Sequence, residues 1–455
     1  MYVPPSPISS PITAPASQLS TNLPSGATFL LQYSLTLTSI FFVGHLSKES
    51  LAAATLASTT ANITGFAIYQ GLCTGLDTLC SQAYGSGRLH LVGLHMQRMQ
   101  LFLLLITIPM AVLWVNAQGI LGRIIPDPEV AALAGRYLRI IVFGAPGYAL
   151  FESGKRFVQA QGIFSAATYC LLLTAPLNVL NHWIFIFHLD YGFLGAPMAV
   201  VISQWTLPLT LFLYVRYVDG MKCWGGFSRA AFTGWWPMIT LSIPGVVNVV
   251  AEWGAFELLT LSSSWLSTSH LAAQAIVLSF ISAAFSVPFA VSISMSTRLA
   301  NLIGAGLPDA AQVTVRVSLV SGLIFPAIDA AVLVLLRNVL PTLMTTDDGV
   351  LALAVGIMPT VGLVHILDSV SANCSGIMRG IGRQDVSGYA TVFAFYVVGL
   401  PIAAMTAFWL HWGLVGLWFG IGCGLVVTSG IQFWYIRTAD WERAVGDARR
   451  RNDGS

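Results

Sequence analysis

The feature that most constrains this chain is a succession of long, uncharged apolar blocks, each close to the roughly 20 residues a helix needs to cross a bilayer. Twelve such blocks are found, at about residues 23–43, 51–76, 99–121, 130–151, 166–187, 192–214, 236–265, 271–295, 313–339, 350–370, 389–410 and 414–435. They are continuously apolar rather than alternating, which argues against an outer-membrane barrel. Composition closes off soluble folds. Apolar residues make up 56% and charged ones 9% of 455 residues, with mean hydropathy +0.76. A soluble domain has about 25% charged residues, and this chain has too few to cover its core. The expected class is an all-α polytopic membrane protein.

Basic residues sort by side. With the N-terminus placed inside, sixteen Lys and Arg fall on the inner side, among them Arg88, Lys155, Arg156, Arg229 and Arg383. Five fall outside: Lys48, Arg123, Arg136, Arg139 and Arg337. That bias fits twelve spans with both ends in the cytoplasm, since an odd number of spans would break the sorting. A net charge of +2 gives no reason to expect nucleic acid. The six cysteines are scattered without a CxxC pair and read as packed apolar residues. Residues 1–22 read as a disordered Ser/Pro tail and not a signal peptide, lacking a basic start and an apolar core. The remaining organisation is a six-helix bundle over 23–217, a cytoplasmic linker at 218–235, a second bundle over 236–436, and a cytoplasmic tail at 437–455.

The two bundles repeat one another. The stretch LPSGATFLLQYSLTLTSIFFVGHLSKESLAAATLA, from Leu23, aligns without gaps to IPGVVNVVAEWGAFELLTLSSSWLSTSHLAAQAIV, from Ile243. Pro24 meets Pro244, and LSKESLAA meets LSTSHLAA. The same offset of about 220 pairs AYGSGR with LIGAGL and GFLGA with GLVGL. Several matches at one offset, separated by an even number of spans, give two halves of like orientation. This is a parallel repeat with an internal pseudo-two-fold, a plan common in transporters.

Enzyme motifs such as HExxH, GxSxG and GxxxxGK[ST] are absent. Glycines in GIGCG, at Gly420, and RGIG read as close helix packing. The informative residues are acids inside spans, each of which costs about 2.5–3.5 kcal/mol or more at mid-membrane. Glu252 and Glu257 fall in span seven, Asp368 in span ten, and Asp329, a weaker candidate, in span nine. No Lys or Arg lies deep in spans seven or ten. Removed from water, a carboxylate without a fixed cation favours its neutral form, so such a group carries a proton or holds an exchangeable cation. The alternative for each is an ordinary packing contact.

Five residues of helix separate the two glutamates by roughly 140°. Glu252 shares a face with Asn248 and Phe256, and Glu257 shares one with Trp253. Glu252 is expected to face the central cavity, with Glu257 in a supporting role. His365, one turn before Asp368, is placed to share its proton or simply to pack. Glu152 reads as a local ion pair with Lys155 and Arg156 at the inner edge, and Asp77 as a cap. The repeat pairs Glu252 with Gln32, Trp253 with Tyr33 and Asp368 with Tyr148, so titratable acids and ion coupling are expected in the second half alone. Asn62 begins an N-x-T sequon inside span two, where it would go unused.

VGHLSKESLAAATLASTTANITGFAIYQGLCTGLDTLCSQAYGSGR, from Val43, closely resembles the first-half signature of eukaryotic multidrug and toxic compound extrusion (MATE) transporters. EWGAFE resembles their span-seven motif and STRLANLIGAGLPDAAQVTVRV the loop and helix after span eight. LDSVSANCSGIMRGIGRQ, YVVGLPI and TADWERA also fit, and the resemblance covers about Leu23 to Arg443. It implies two six-helix bundles facing a cavity open alternately to each side. It also implies export of organic cations and other amphipathic compounds against inward flow of H⁺ or Na⁺.

By position, the resemblance carries the coupling acids onto Glu252, Glu257 and Asp368, and the PLN motif onto Asn178. Ser279 stands where animal-type members have a further Glu, and the Ser/Pro tail replaces a basic lead-in. Cavity or substrate candidates are then Asn248, Trp253, Phe256, Gln32, Tyr33, Asn62, Asn178 and His365.

The resulting expectation is a monomeric antiporter of the plasma or vacuolar membrane. It takes small-molecule substrates, needs no cofactor or metal, and is driven by a gradient of H⁺ or Na⁺. A flippase of the same superfamily, moving lipid-linked precursors, is the alternative. It would require basic cavity groups to hold a pyrophosphate, and the sequence shows none.

Overall fold

The computed structural model describes residues 14–124 and 127–453. The described chain is almost wholly helical. We number the spans α1 (Ala14–Gly44), α2 (Lys48–Gly85), α3 (Leu89–Val115), α5 (Ser165–His188) and α6 (Gly192–Tyr217). The second half has α7 (Trp236–Leu266), α8 (Thr268–Gly304), α9 (Pro308–Leu335), α10 (Asp348–Ile381), α11 (Gln384–Trp409) and α12 (Gly413–Thr438). The fourth span, α4, is a pair of helices, Pro128–Ile141 and Ala145–Ala160, bent by 55°. Among the described residues eleven helices are long and apolar enough to cross a membrane, and this bent pair supplies a twelfth.

The chain divides into two compact units, one of Ala27–Ile239 and one that runs from Thr240 through the C-terminal helix and also takes in the described residues of α1 up to Gly26. Each unit is a bundle of six spans. Their local chemistry repeats at the offset read from the sequence. Ser47 and Ser267 cap α2 and α8 by accepting from the amide three residues on, and Asp127 and Asp347 do the same for α4 and α10. The left-handed residues also recur in pairs: Gly87 with Gly306, Gly162 with Gly382, and Gly192 with Gly413, the last preceded by Asp190 and His411 at φ 55° each. Gly162 and Gly382 end α4 and α10 at φ +82° and +76°, a conformation that L side chains rarely adopt. Wider π turns close α5 (Ile184–His188) and α11 (Met405–Trp409) alike.

One expectation changes in the structure, and two segments take a definite form. α1 already begins at Ala14, so part of the stretch read as a tail is helical; Pro15 falls in the first turn, where its missing N–H is not needed. Residues 1–13 of that tail lie outside the described residues. The linker is not free: Gln97 of α3 donates to the Gly226 carbonyl at 2.8 Å and accepts from the Ser228 amide at 3.1 Å, which pins the segment to the first bundle. The C-terminal tail forms a helix, α13 (Trp441–Asp453). It buries Val445 and Ala448 in a cluster with Leu299, Ile303 and Ala311 of the second bundle.

The bend in α4 has a local cause. A Cβ on Gly144 would collide with the Gln204 side chain of α6, and one on Gly147 would stand 2.6 Å from the Gln204 carbonyl. Glycine at both positions lets α6 press into the break. The segment after it, Ala145–Ala160, is thereby turned so that Glu152, Lys155 and Arg156 point into the bundle.

Candidate functional site

In the second bundle, α7 and α10 carry the acids, and two of them act on one another electrostatically. Asp368 is buried, and its Oδ1 has no hydrogen-bond partner among the described residues. It lies within electrostatic reach of Glu252, which is half-buried on α7. Glu252 in turn feels the guanidinium of Arg379, in the last turn of α10. The sequence places Arg379 in a loop. The helix runs on to Ile381, so its charge is carried on the same rod as Asp368, and its Nη2 donates to Ser292 Oγ of α8 at 3.3 Å. Ser292 Oγ also donates to the Ala372 carbonyl at 2.7 Å, and a Cβ on Gly376 would clash with that hydroxyl. α8 and α10 are thus in close backbone contact beside the acids.

Asn248, one turn before Glu252, is buried and accepts from Ser387 Oγ at 3.1 Å and Thr391 Oγ1 at 2.7 Å, both on α11. Ser387 is joined to Ser375 at 2.8 Å, and Gln432 of α12 donates to both hydroxyls at 2.9 Å. This polar chain fixes α7 against three neighbours at the level of the site. Asn248→Ala is expected to lower stability by about 1–3 kcal/mol, because buried hydroxyls lose their acceptor. Thermal unfolding of the purified protein measures it.

Tyr396, to which the sequence alone assigns no role, sits in the π turn Phe393–Gly399 of α11 and donates to the Ala251 carbonyl at 3.3 Å. A Cβ on Gly254 would stand 2.7 Å from its hydroxyl, so the glycine of EWGAFE makes room for Tyr396 next to Glu252.

The other candidates disperse. Glu257 is exposed on its bundle, on a different face from Glu252. Phe256 joins the core, with ring centroids 6.4 Å from Phe395 and 6.1 Å from Trp418, and Trp253 is half-buried. The His365 ring is directed at Asp329 of α9, Nε2 to Oδ2 3.8 Å, rather than at Asp368. Three residues of helix set His365 and Asp368 on overlapping but distinct faces, and α9 packs on the histidine's side.

In the first bundle, Asn178 is spent on structure: it donates to the Leu35 carbonyl at 3.3 Å and accepts from Ser203 at 2.8 Å. Tyr33 is half-buried, and Asn62, also half-buried, opens the π turn Asn62–Phe66 of α2. Gln32 bonds Glu152 at 3.3 Å.

The first half also departs from the sequence reading in its charges. Glu152, Lys155, Arg156 and Asp77 are all buried. Asp77 is no cap but lies inside α2, paired to Arg156 at 3.3 Å. Acids therefore occur in both bundles. What differs is the company they keep. Lys155 and Arg156 lie within α4, and not in the loop after it where the sequence reading counts them. Among the described residues, no three His, Cys, Asp or Glu side chains gather as a metal site requires.

Comparison with known proteins places this geometry. The MatE family model matches residues 24–184 and 226–405. An uncharacterized transporter of Schizosaccharomyces pombe is 40% identical over 428 residues, 94% of this chain and 79% of that protein. Multidrug and toxin extrusion protein 2 of Mus musculus is 32% identical over 434 residues, 94% of this chain and 75% of that protein. In structure, the chain is similar to the eukaryotic MATE transporter AtDTX14, with a TM-score of 0.92 and 28% identity, covering 98% of this chain and 100% of that one.

Proposed function

The chain belongs to the MatE family of multidrug and toxic compound extrusion transporters, and from that premise we propose that it is a proton-coupled antiporter exporting organic cations, xenobiotics or amphipathic metabolites. It is a membrane transporter and not an enzyme. The observation that carries the coupling proposal is Asp368, buried in α10 with an unbonded carboxylate oxygen, with the Glu252 carboxylate of α7 acting on it electrostatically. Two such groups share charge poorly in a low-dielectric interior, so the pair takes up a proton or a cation readily.

In the proposed cycle a proton from the outer or luminal side neutralises the pair. The cationic substrate then loses its counter-charge and leaves, and the bundles rock to the other side. Loss of the proton restores the negative site. Binding of each species to only one charge state is what couples the two flows. The same reading makes the protein a monomer of the plasma or vacuolar membrane with both termini in the cytoplasm. Its relative named for multidrug and toxin extrusion supports the substrate class.

Proteoliposomes with an acidic interior are expected to accumulate a fluorescent organic cation, by about tenfold per pH unit for one-to-one exchange. Accumulation driven only by a Na⁺ gradient would replace H⁺ by Na⁺ as the coupling ion. No accumulation with either gradient would refute the proposal.

A further inference from the structure

The first bundle holds a charge cluster that this cycle leaves unused. Lys155 Nζ donates to Glu152 Oε1 at 2.6 Å and lies 3.5 Å from Gln32 Oε1, while Gln32 Nε2 donates to the same Glu152 oxygen at 3.3 Å. The ammonium also sits 5.4 Å from the Phe29 ring centroid and 5.7 Å from that of Phe151. Glu152 Oε2 has no hydrogen-bond partner among the described residues. Other titratable groups that act on Glu152 are Tyr148 and Arg156 of α4 and Cys73 of α2; Asp77 of α2 pairs with Arg156. α3, α5 and α6 also pack on α4, and they bring no ion pair to Glu152 among the described residues.

The position of this cluster is informative. The repeat sets Gln32 opposite Glu252 and Tyr148 opposite Asp368. The left-handed glycines Gly162 and Gly382, which end α4 and α10, fix that register. Glu152 stands one turn beyond Tyr148. Each bundle therefore builds a polar centre from its first and fourth spans. In the second bundle the centre is two carboxylates, with the Arg379 guanidinium acting on Glu252 from the end of α10 while it bonds Ser292. In the first it is an amide, one carboxylate and an ammonium.

We propose that Lys155 is the resident cation of the first bundle, its ammonium filling the place that an exchangeable proton or metal cation takes in the second. A cation tethered to the helix that carries its counter-charge is present at every stage of the cycle and cannot be exchanged away. The first bundle is thereby kept electrically constant, and coupling is confined to one bundle. The comparison rests on reading Glu252 and Asp368 as the exchange site.

The test is thermal unfolding of purified Lys155→Met, Glu152→Gln, the double variant and the unaltered protein, from about pH 5.5 to 9, in NaCl, KCl or choline chloride. At about pH 8 in choline, Lys155→Met is expected to unfold roughly 5 °C or more below the unaltered protein. It should recover as the pH falls or as Na⁺ or K⁺ replaces choline. The folded variant then binds a proton or small cation that the unfolded chain releases, so stability rises with acidity.

Glu152→Gln should show the opposite slope, recovering as the pH rises, because the unpartnered lysine is relieved by losing its proton. The double variant should match the unaltered protein at every pH. A Lys155→Met midpoint indifferent to pH and to small cations would overturn the proposal, as would a double variant that fails to fold. Either result makes the pair a packing element. These midpoints require no transport, so they stand or fall separately from the exchange reading.

Discussion

Glu252→Gln is expected to abolish proton-driven accumulation while leaving the protein assembled in the membrane. Glutamine keeps the size and hydrogen-bonding capacity of a protonated glutamate but cannot ionise. Asp368 alone then remains to ionise, the charge change that the two carboxylates make together is lost, and no free energy passes from the proton gradient to the substrate. A one-to-one exchange across one pH unit transfers about 1.4 kcal/mol, a tenfold gradient of substrate. The variant should bring that ratio to about one. The arrangement around the residue supports an intact fold: Asn248 is held by Ser387 and Thr391, and Tyr396 bonds the Ala251 carbonyl, neither through the Glu252 side chain. Surface labelling and thermal unfolding of the purified variant verify that it is folded and inserted. Normal pH-dependent accumulation would remove Glu252 from the coupling site.

Gly420→Val is expected to prevent accumulation of folded protein. A Cβ at this position in α12 would fall on the backbone nitrogen and Cα of Ala403 in α11. Nearby, a Cβ on Gly416 would stand 2.6 Å from the Ala407 nitrogen, and one on Gly424 3.0 Å from the Ala394 carbonyl. The two helices therefore meet backbone to backbone along a row of small residues, and neither can retreat without breaking the rest of the row. Overpacking of this kind costs about 1–3 kcal/mol where side chains can adjust. Here only backbone is available to move, so the loss should exceed that range. Gly430, on the same helix, has open space where a Cβ would stand, with no atom within 4 Å, so Gly430→Val is the control and should be expressed normally. Detergent-extracted yield and size-exclusion profile distinguish the two.

The glycines illustrate what a sequence can carry. GIGCG reads as close helix packing because a glycine in a continuous apolar run has few other uses, and Gly420 does pack that way. The same holds for the repeat. In the sequence it is a handful of matches at one offset, and the structure returns it in paired helix caps, paired left-handed glycines and paired π turns.

The charges are less legible, for a definite reason. Glu152 with Lys155 looks like a local surface pair because an i,i+3 spacing is all that the sequence shows. Burial of that pair depends on the bend at Gly144, on Gln204 of α6 pressing into it, and on Gln32, which lies 120 residues away in the chain. Asp77 looks like a cap because a loop follows it, but its partner Arg156 is on another span.

His365 and Arg379 show the same limit from the other side. His365 is one turn from Asp368 in sequence, yet its ring meets Asp329 of α9. The positive-inside rule sorts Arg379 into a loop, yet α10 continues past it and its field reaches Glu252.

By itself, the sequence determined the membrane class, the spans, the twofold repeat, and that Glu252 and Asp368 lie within apolar helix. These follow from composition and periodicity, which are properties of consecutive residues. Only the tertiary structure decided which of those charges are partnered. Pairing depends on which faces of different helices meet, and that is set by small residues, bends and side-chain bonds between segments far apart in the chain. Two bundles with the same local pattern thus end with different electrostatic centres, one holding its own ammonium and the other two carboxylates.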